Sequence, residues 1–288
     1  MRGFPAVCLA IGVSDSSGGA GIQGDLKTFT ALSSYGASVV TAVAAQSFGT
    51  LRDLHQVPEA NVRAQLDAIG EDLMPTAIKV GLCPSVATMR VIARWLREHQ
   101  GIPVVLDPVL ASSQGIPLMT PEMVNVLKDE LLPRATVATP NRFEAAQLVG
   151  MDECLTNEDM EHAARELLRR HGCPTLVTGG THDGDSLDVL AALDGVRHFA
   201  SPTFPRAKVH GAGSAHAAAI AANLSKGDSL REAVMAAKLF VSAAIAAAPV
   251  AASGRSALWH SVTVREQLIA PPIHGIHGKG SGSLSPVC

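Results

Sequence analysis

Apolar positions along this chain fall into two kinds of run that alternate. Short, mostly apolar runs at 6–13, 39–44, 77–80, 103–106, 135–139 and 175–178 have strand length. Between them apolar residues recur at helical spacing instead. Ile22, Leu26, Phe29 and Leu32 mark a helix over 22–32, and Val86, Met89, Ile92 and Leu96 one over 86–97. Helices also fit 58–73, 121–131 behind an N-capping Thr120 and a first-turn Pro121, 144–149, and a segment capped by Thr156 and Asp159 that ends near Gly172. The strands are apolar throughout rather than alternating, so both of their faces must be covered. That predicts an α/β fold: a mostly parallel sheet with helices on both faces.

After residue 178 the pattern changes. Runs at 188–193 and 196–200 flank Asp194-Gly195, which suits a tight hairpin turn. Two alanine-rich helices follow the Gly211–Gly213 turn, the second starting at Ser229 with Glu232 at capping-box spacing. The segment 233–252 has nearly membrane-spanning length, but it holds Lys238 and Pro249, so it reads as a buried helix. No linker-like break precedes about residue 262. We therefore expect one domain over 1–262 and a Gly/Ser/Pro/His-rich, poorly ordered tail within 263–288.

Composition narrows the function. At 288 residues, a net charge of −3 and 3% aromatics, nothing suggests a nucleic-acid or anionic-membrane partner. Five scattered cysteines without a C-x-x-C pair give neither a metal site nor a disulfide framework, which points to a reduced cytoplasmic protein. Polar or glycine residues follow the expected strands: Asp15, Gln46, Gly81, Asp107, Asn141 and Gly179. In open α/β sheets ligands bind beyond the carboxyl ends of the strands, so these residues share one rim. Gly211-Ala212-Gly213 opening a helix leaves backbone N–H groups unpaired. With the helix dipole behind them they form a place for an anion such as a phosphate. An ordinary turn reads the same way from this stretch alone.

Several stretches taken together resemble one family. They are Ser14 to Thr28 (SDSSGGAGIQGDLKT), Thr41 to Gln46 (TAVAAQ), Ile78 to Gly81 (IKVG), Val105 to Val109 (VLDPV), Thr139 to Ala145 (TPNRFEA) and His210 to Gly213 (HGAG). Over roughly residues 5–260 the chain is similar to the hydroxymethylpyrimidine/phosphomethylpyrimidine kinases of thiamin biosynthesis, members of the ribokinase-like superfamily. The resemblance implies a cytoplasmic, commonly dimeric enzyme. It would use ATP and Mg²⁺ to phosphorylate 4-amino-5-hydroxymethyl-2-methylpyrimidine and then its monophosphate. By the same resemblance, Asp25 pairs with the exocyclic amine, Gln46 hydrogen-bonds the acceptor, and Ala20, Leu82 and Val109 wall the ring. Asn141 and Glu144 organise the metal with help from Asp107. Thr178 lies near the nucleotide, and the N–H groups of Gly211, Ala212, Gly213 and Ser214 hold the transferred phosphoryl group. A pyridoxal- or pyridoxine-type kinase of the same fold is the other reading, as is a weakened pyrimidine- or nucleotide-binding protein.

Four positions depart from the family's pattern. Ser214 stands where the family usually has cysteine and sugar-kinase relatives have aspartate, the residue that by the resemblance acts as base for the acceptor's hydroxyl. A serine hydroxyl needs a helper to act as a base near neutral pH. His216 is two residues along the same helix and points elsewhere, so it is expected to pack. Thr178 replaces a lysine, Val13 a glycine beside the first loop, and Leu82 a methionine of similar volume.

Overall fold

The structure is a computed structural model and describes residues 4–112, 115–204 and 209–262. The expected tail, with its histidines, lies outside the described residues. Nine strands form one sheet: β1 (Val7–Asp15), β2 (Tyr35–Ser47), β3 (Thr50–Gln56), β4 (Ala77–Val80), β5 (Val104–Leu106), β6 (Val137–Ala138), β7 (Thr175–His182), β8 (Asp185–Ala192) and β9 (Gly195–Ser201). Their order is β3-β2-β1-β4-β5-β6-β7-β8-β9. From β2 to β7 every pairing is parallel, and β3, β8 and β9 add antiparallel edges.

The helices are α1 (Gly21–Ala31), α2 (Glu59–Asp72), α3 (Val86–Glu98), α4 (Pro121–Val126), α5 (Arg142–Val149), α6 (Asn157–His171), α7 (Ala212–Leu224) and α8 (Leu230–Ala246). Because successive side chains on a strand point to opposite faces, β1 splits into two sets. Leu9 and Ile11 join a core built with α2 through α6. Cys8 and Ala10 join a core built with α1, α7 and α8. That second face carries small side chains, Cys8, Ala10 and Ala77, opposite the alanines of α7. Small against small lets α7 lie close to the sheet, and its residues from Ala215 to Leu224 are buried all round.

The connectivity places a functional crevice. From β1 the chain crosses through α1 to β2 on one side, then returns through α2 to β4 on the other. Strand order therefore reverses between β1 and β4, and in open α/β sheets ligands bind at that switch point beyond the carboxyl ends.

Several details differ from the sequence reading; the buried helix expected over 233–252, for one, ends at Ala246, before Pro249. Strand β3 was not expected: its run TLRDLHQ is polar and partly exposed, and only the hairpin partner β2 orders it. The helix after Thr120 is α-helical only to Val126, widens into a π-turn over Leu127–Leu131 and closes in a 3₁₀ turn at Leu132–Arg134. Strand β7 does not end before Gly179 but runs to His182, with its register to β8 slipping between Val177 and Gly180. Gly179, at φ 90°, sits in that irregularity and donates its N–H to Asp188. It is thus part of the β7–β8 pairing rather than of the rim.

Candidate active site

At the switch point lies a cavity of about 300 Å³, the size of a small-molecule site. Its floor is made by three elements. Lys79 stands on β4 between Ile78 and Val80, which face the other core, so its side chain points toward α1 and α7. There Nζ donates to Asp25 Oδ2 at 3.0 Å and to Ser214 Oγ at 2.8 Å. It also lies 3.4 Å from Asp107 Oδ2. Ser214 Oγ in turn donates to Asp25 Oδ1 at 2.9 Å. Asp25 and Lys79 are 1% and 2% exposed, so this is a buried charged cluster, tolerable only because each member is paired. Burial pushes the Asp25 carboxyl up more than Lys79 pulls it down. Burial works against the Lys79 ammonium, but Asp25 and Asp107 outweigh it and raise its pKa.

Above the floor, Ser214 lies in the first turn of α7. Gly211 caps that helix at φ 90° with no side-chain cap. A Cβ there would collide with the carbonyl oxygen of Gly19, so only glycine lets the two loops meet. Ala215 is the first residue whose N–H returns to the Gly211 carbonyl. The preceding N–H groups are left for an anion.

The mouth is a second cluster. Asp15 ends β1, and its carboxylate accepts from the Ser17 N–H and hydroxyl and from the Ala20 N–H. His210 Nε2 lies 3.2 Å from Asp15 Oδ2 and 3.3 Å from Gln46 Nε2. Burial alone would push Asp15 up, but hydrogen bonds from His210, Ser17 and Ala20 hold it down at about 2.

On the third side, Asn141 and Glu144 form a complete capping box at the start of α5. Glu144 accepts from the Asn141 N–H at 2.9 Å and the Leu110 N–H at 3.3 Å. Burial, and then Asp107, raise its carboxyl to about 8. Among the described residues no group of three or more His, Cys, Asp or Glu could cage a metal.

The cavity is lined by Ala20, Asp25, Gln46, Leu82, Val109, Asp107, Asn141, Glu144, Thr178, Gly211, Gly213 and Ser214, and also by Val13. Every position expected to touch substrate, nucleotide or metal therefore reaches one space, except Ala212, whose contribution would be its backbone N–H. Asp25 has different neighbours from those expected: Lys79 and Ser214 engage both of its oxygens. His216 packs as expected, its Nδ1 3.8 Å from Asp188 Oδ2, and burial lowers its pKa.

A sequence model described as phosphomethylpyrimidine kinase matches residues 15–258. The chain belongs to that family. A hydroxymethylpyrimidine/phosphomethylpyrimidine kinase of Rhizobium meliloti is 41% identical over 244 residues, 84% of this chain and 91% of that one. A pyridoxine kinase of Bacillus subtilis is 39% identical over 243 residues, 82% and 89% of the two chains. The thiamine biosynthesis bifunctional protein ThiED of Geobacter sulfurreducens is 40% identical over 90% of this chain, which spans only 53% of that protein's length. Among solved structures, an ADP complex of Bacillus subtilis pyridoxal kinase matches with a TM-score of 0.82, at 34% identity, over 89% of this chain and 98% of that one. A phosphomethylpyrimidine kinase from Clostridium difficile matches at 0.74, with 32% identity, over 83% and 99%. The family member is thus a ribokinase-like vitamin kinase, a phosphotransferase whose relatives include both pyrimidine and pyridoxal kinases. No helix among the described residues is long and apolar enough to cross a membrane.

The sequence reading missed Lys79 and His210. Lys79 had a visible signal: it is the one charge in a four-residue strand otherwise made of Ala, Ile and Val. A lysine is almost never fully buried unless paired, so its position implied buried carboxylates nearby. His210 had no such signal, because its partners Asp15 and Gln46 are brought beside it only by the fold.

Proposed function

We propose that this protein transfers the γ-phosphoryl group of ATP to a hydroxymethyl group carried on a flat nitrogen heterocycle. The observation that carries this reading is the open N-terminus of α7 at Gly211–Ser214, lying over a buried polar floor in a cavity of small-molecule size. The N–H groups at that terminus suit the equatorial oxygens of a phosphoryl group in flight, where negative charge spreads and positioning does most of the work. Val13, Ala20, Leu82 and Val109 supply apolar walls for the ring, and Gln46 supplies an amide for its edge.

ATP would enter from the Asn141 and Thr178 side. Two carboxylates, Glu144 and Asp107, fit Mg²⁺, which keeps most of its waters and arrives on substrate phosphates. Glu144, held up at about 8 by burial and Asp107, is a group that a divalent cation beside it would relieve. Mg²⁺ there would screen the phosphate charge; Glu144 and Asp107 would orient its waters.

The acceptor is either the aminopyrimidine alcohol and its monophosphate or a pyridoxal- or pyridoxine-type ring. A preference for the aminopyrimidine rests on Gln46 together with Asp25, which would meet the exocyclic amine. Lys79 and Ser214 already occupy one acceptor site on each Asp25 oxygen, and the pyridoxine kinase relative is about as similar to this chain as the pyrimidine kinase, so the pyridoxal-type acceptor stands beside the aminopyrimidine on equal terms. The test is ADP release by purified protein with Mg-ATP and, in turn, the aminopyrimidine alcohol, its monophosphate and pyridoxal. Turnover with any of them, lost in Glu144→Ala, supports the reading and ranks the acceptors. Saturable binding of all three without turnover overturns it.

A further inference from the structure

Ser214 lacks the acidity of a cysteine and the basicity of an aspartate, yet the structure gives it a defined hydrogen-bond polarity. Lys79 Nζ can only donate, so at 2.8 Å Ser214 Oγ must accept from it. An Asp25 carboxylate only accepts, so at 2.9 Å the Ser214 O–H must point at it. One lone pair of Ser214 Oγ is left, and Ser214 lines the cavity. The hydroxyl is thereby oriented with its proton toward a buried carboxylate and its free lone pair available to an incoming hydroxyl.

We propose that Asp25 is the terminal proton acceptor for an alcohol substrate, reached through Ser214, with Lys79 positioning both. This rests on the kinase reading above. As the alcohol oxygen forms its bond to the γ-phosphorus and the bond to the β,γ-bridging oxygen breaks, the alcohol's proton passes to Ser214 Oγ. The serine's own proton passes to Asp25 Oδ1. ADP leaves with the electron pair of the broken bond, and the proton returns through Ser214 to solvent once the product has gone. Geometry favours the step: Asp25 Oδ1 stands 2.9 Å from Ser214 Oγ, within reach of its proton. The upward push of burial on the Asp25 carboxyl works in the same direction. A phosphate acceptor is already ionised and has no proton to send along this route.

The experiment measures initial rates with each alcohol and with the pyrimidine monophosphate, in H₂O and D₂O, for the natural protein, Ser214→Ala, Asp25→Asn, Ser214→Cys and Ser214→Cys/Asp25→Asn, with melting curves for each. The relay predicts that Ser214→Ala and Asp25→Asn each slow the alcohol reaction by about 10²-fold or more. It also predicts a fall at least tenfold larger than for the monophosphate, where that acceptor is used, and a solvent isotope effect on the alcohol reaction that Ser214→Ala diminishes. In the Ser214→Cys background a thiolate at a helix N-terminus takes over as base. Asp25→Asn should then cost at least tenfold less than it does beside serine, a coupling read from the double-mutant cycle. Equal losses on both acceptors, no isotope effect in the natural protein, or additive losses in the cycle would overturn the relay while leaving the kinase reading intact. Absence of turnover by the natural protein with every acceptor would overturn that reading, and the relay with it. If Asp25→Asn does not fold, the isotope effect and Ser214→Ala still decide.

Discussion

The floor and the mouth of the cavity are both clusters of charged and hydroxyl groups, yet they are built differently. At the floor, Lys79, Asp25 and Ser214 have one possible arrangement of hydrogens, because an ammonium only donates and a carboxylate only accepts. At the mouth, His210 Nε2 stands between Asp15 and Gln46, and the ring's tautomer decides which of them it serves. The floor is a fixed device and the mouth an adjustable one. A fixed arrangement suits the proton path proposed for the floor, and an adjustable one suits the recognition of a ring edge proposed for the mouth.

The largest effect that would sharpen this contrast comes from Lys79→Met. It leaves the Asp25 and Asp107 carboxylates buried without their cation, so we expect a loss of about 3–5 kcal/mol in stability, read from denaturant unfolding, together with loss of turnover. An unchanged unfolding midpoint would mean that the floor is not held by this ion pair. Asp15→Asn at the mouth should cost less, about 1–3 kcal/mol, because the remaining side-chain oxygen still meets part of the Ser17–Ala20 loop. Its main expression should be a raised KM for the acceptor. A larger stability loss at the mouth than at the floor would invert the comparison.

Smaller still, and separable by pH, are two titrations. His260 is buried, and burial followed by Lys27 holds its ring down at about 4, below its ordinary value near 6.5. A group depressed in the fold adds stability above its unfolded pKa and loses it as pH falls through the folded one. Stability should therefore drop between about pH 6.5 and 4, and His260→Phe should flatten that limb. Asp15, depressed to about 2 from an ordinary 3.8, should give a second loss between about pH 4 and 2 that Asp15→Asn removes. Melting temperatures across pH 2–8 check both limbs.

How much of this was legible in advance varies from element to element. Parallel order, two covered faces and the caps at Thr156–Asp159 and Ser229–Glu232 follow from patterns within ten or so residues, and all are found. Strand β3 was missed because its residues carry no apolar run of their own; pairing with β2 alone makes them a strand. The continuation of β7 past Gly179 was missed because glycines normally end such a run, whereas here antiparallel pairing with β8 carries the strand on.

The same division runs through the site. Glycine positions, the capping boxes, the Gly211–Gly213 turn and the family signature are local, and the sequence by itself determined them: each is a matter of φ, periodicity or hydrogen bonds between neighbours. Which polar groups meet was decided by the tertiary structure. Asp25, Lys79 and Ser214 come from three separate elements and Asp107 from the turn after β5, and they meet only because β4 lies beside β1 and small side chains let α7 approach the sheet. A lysine in an apolar strand announces that a counter-charge must exist, since an unpaired buried ammonium is too costly to keep. Only the packing of α1 and α7 over the switch point says that the counter-charge is Asp25 and that Ser214 stands between them.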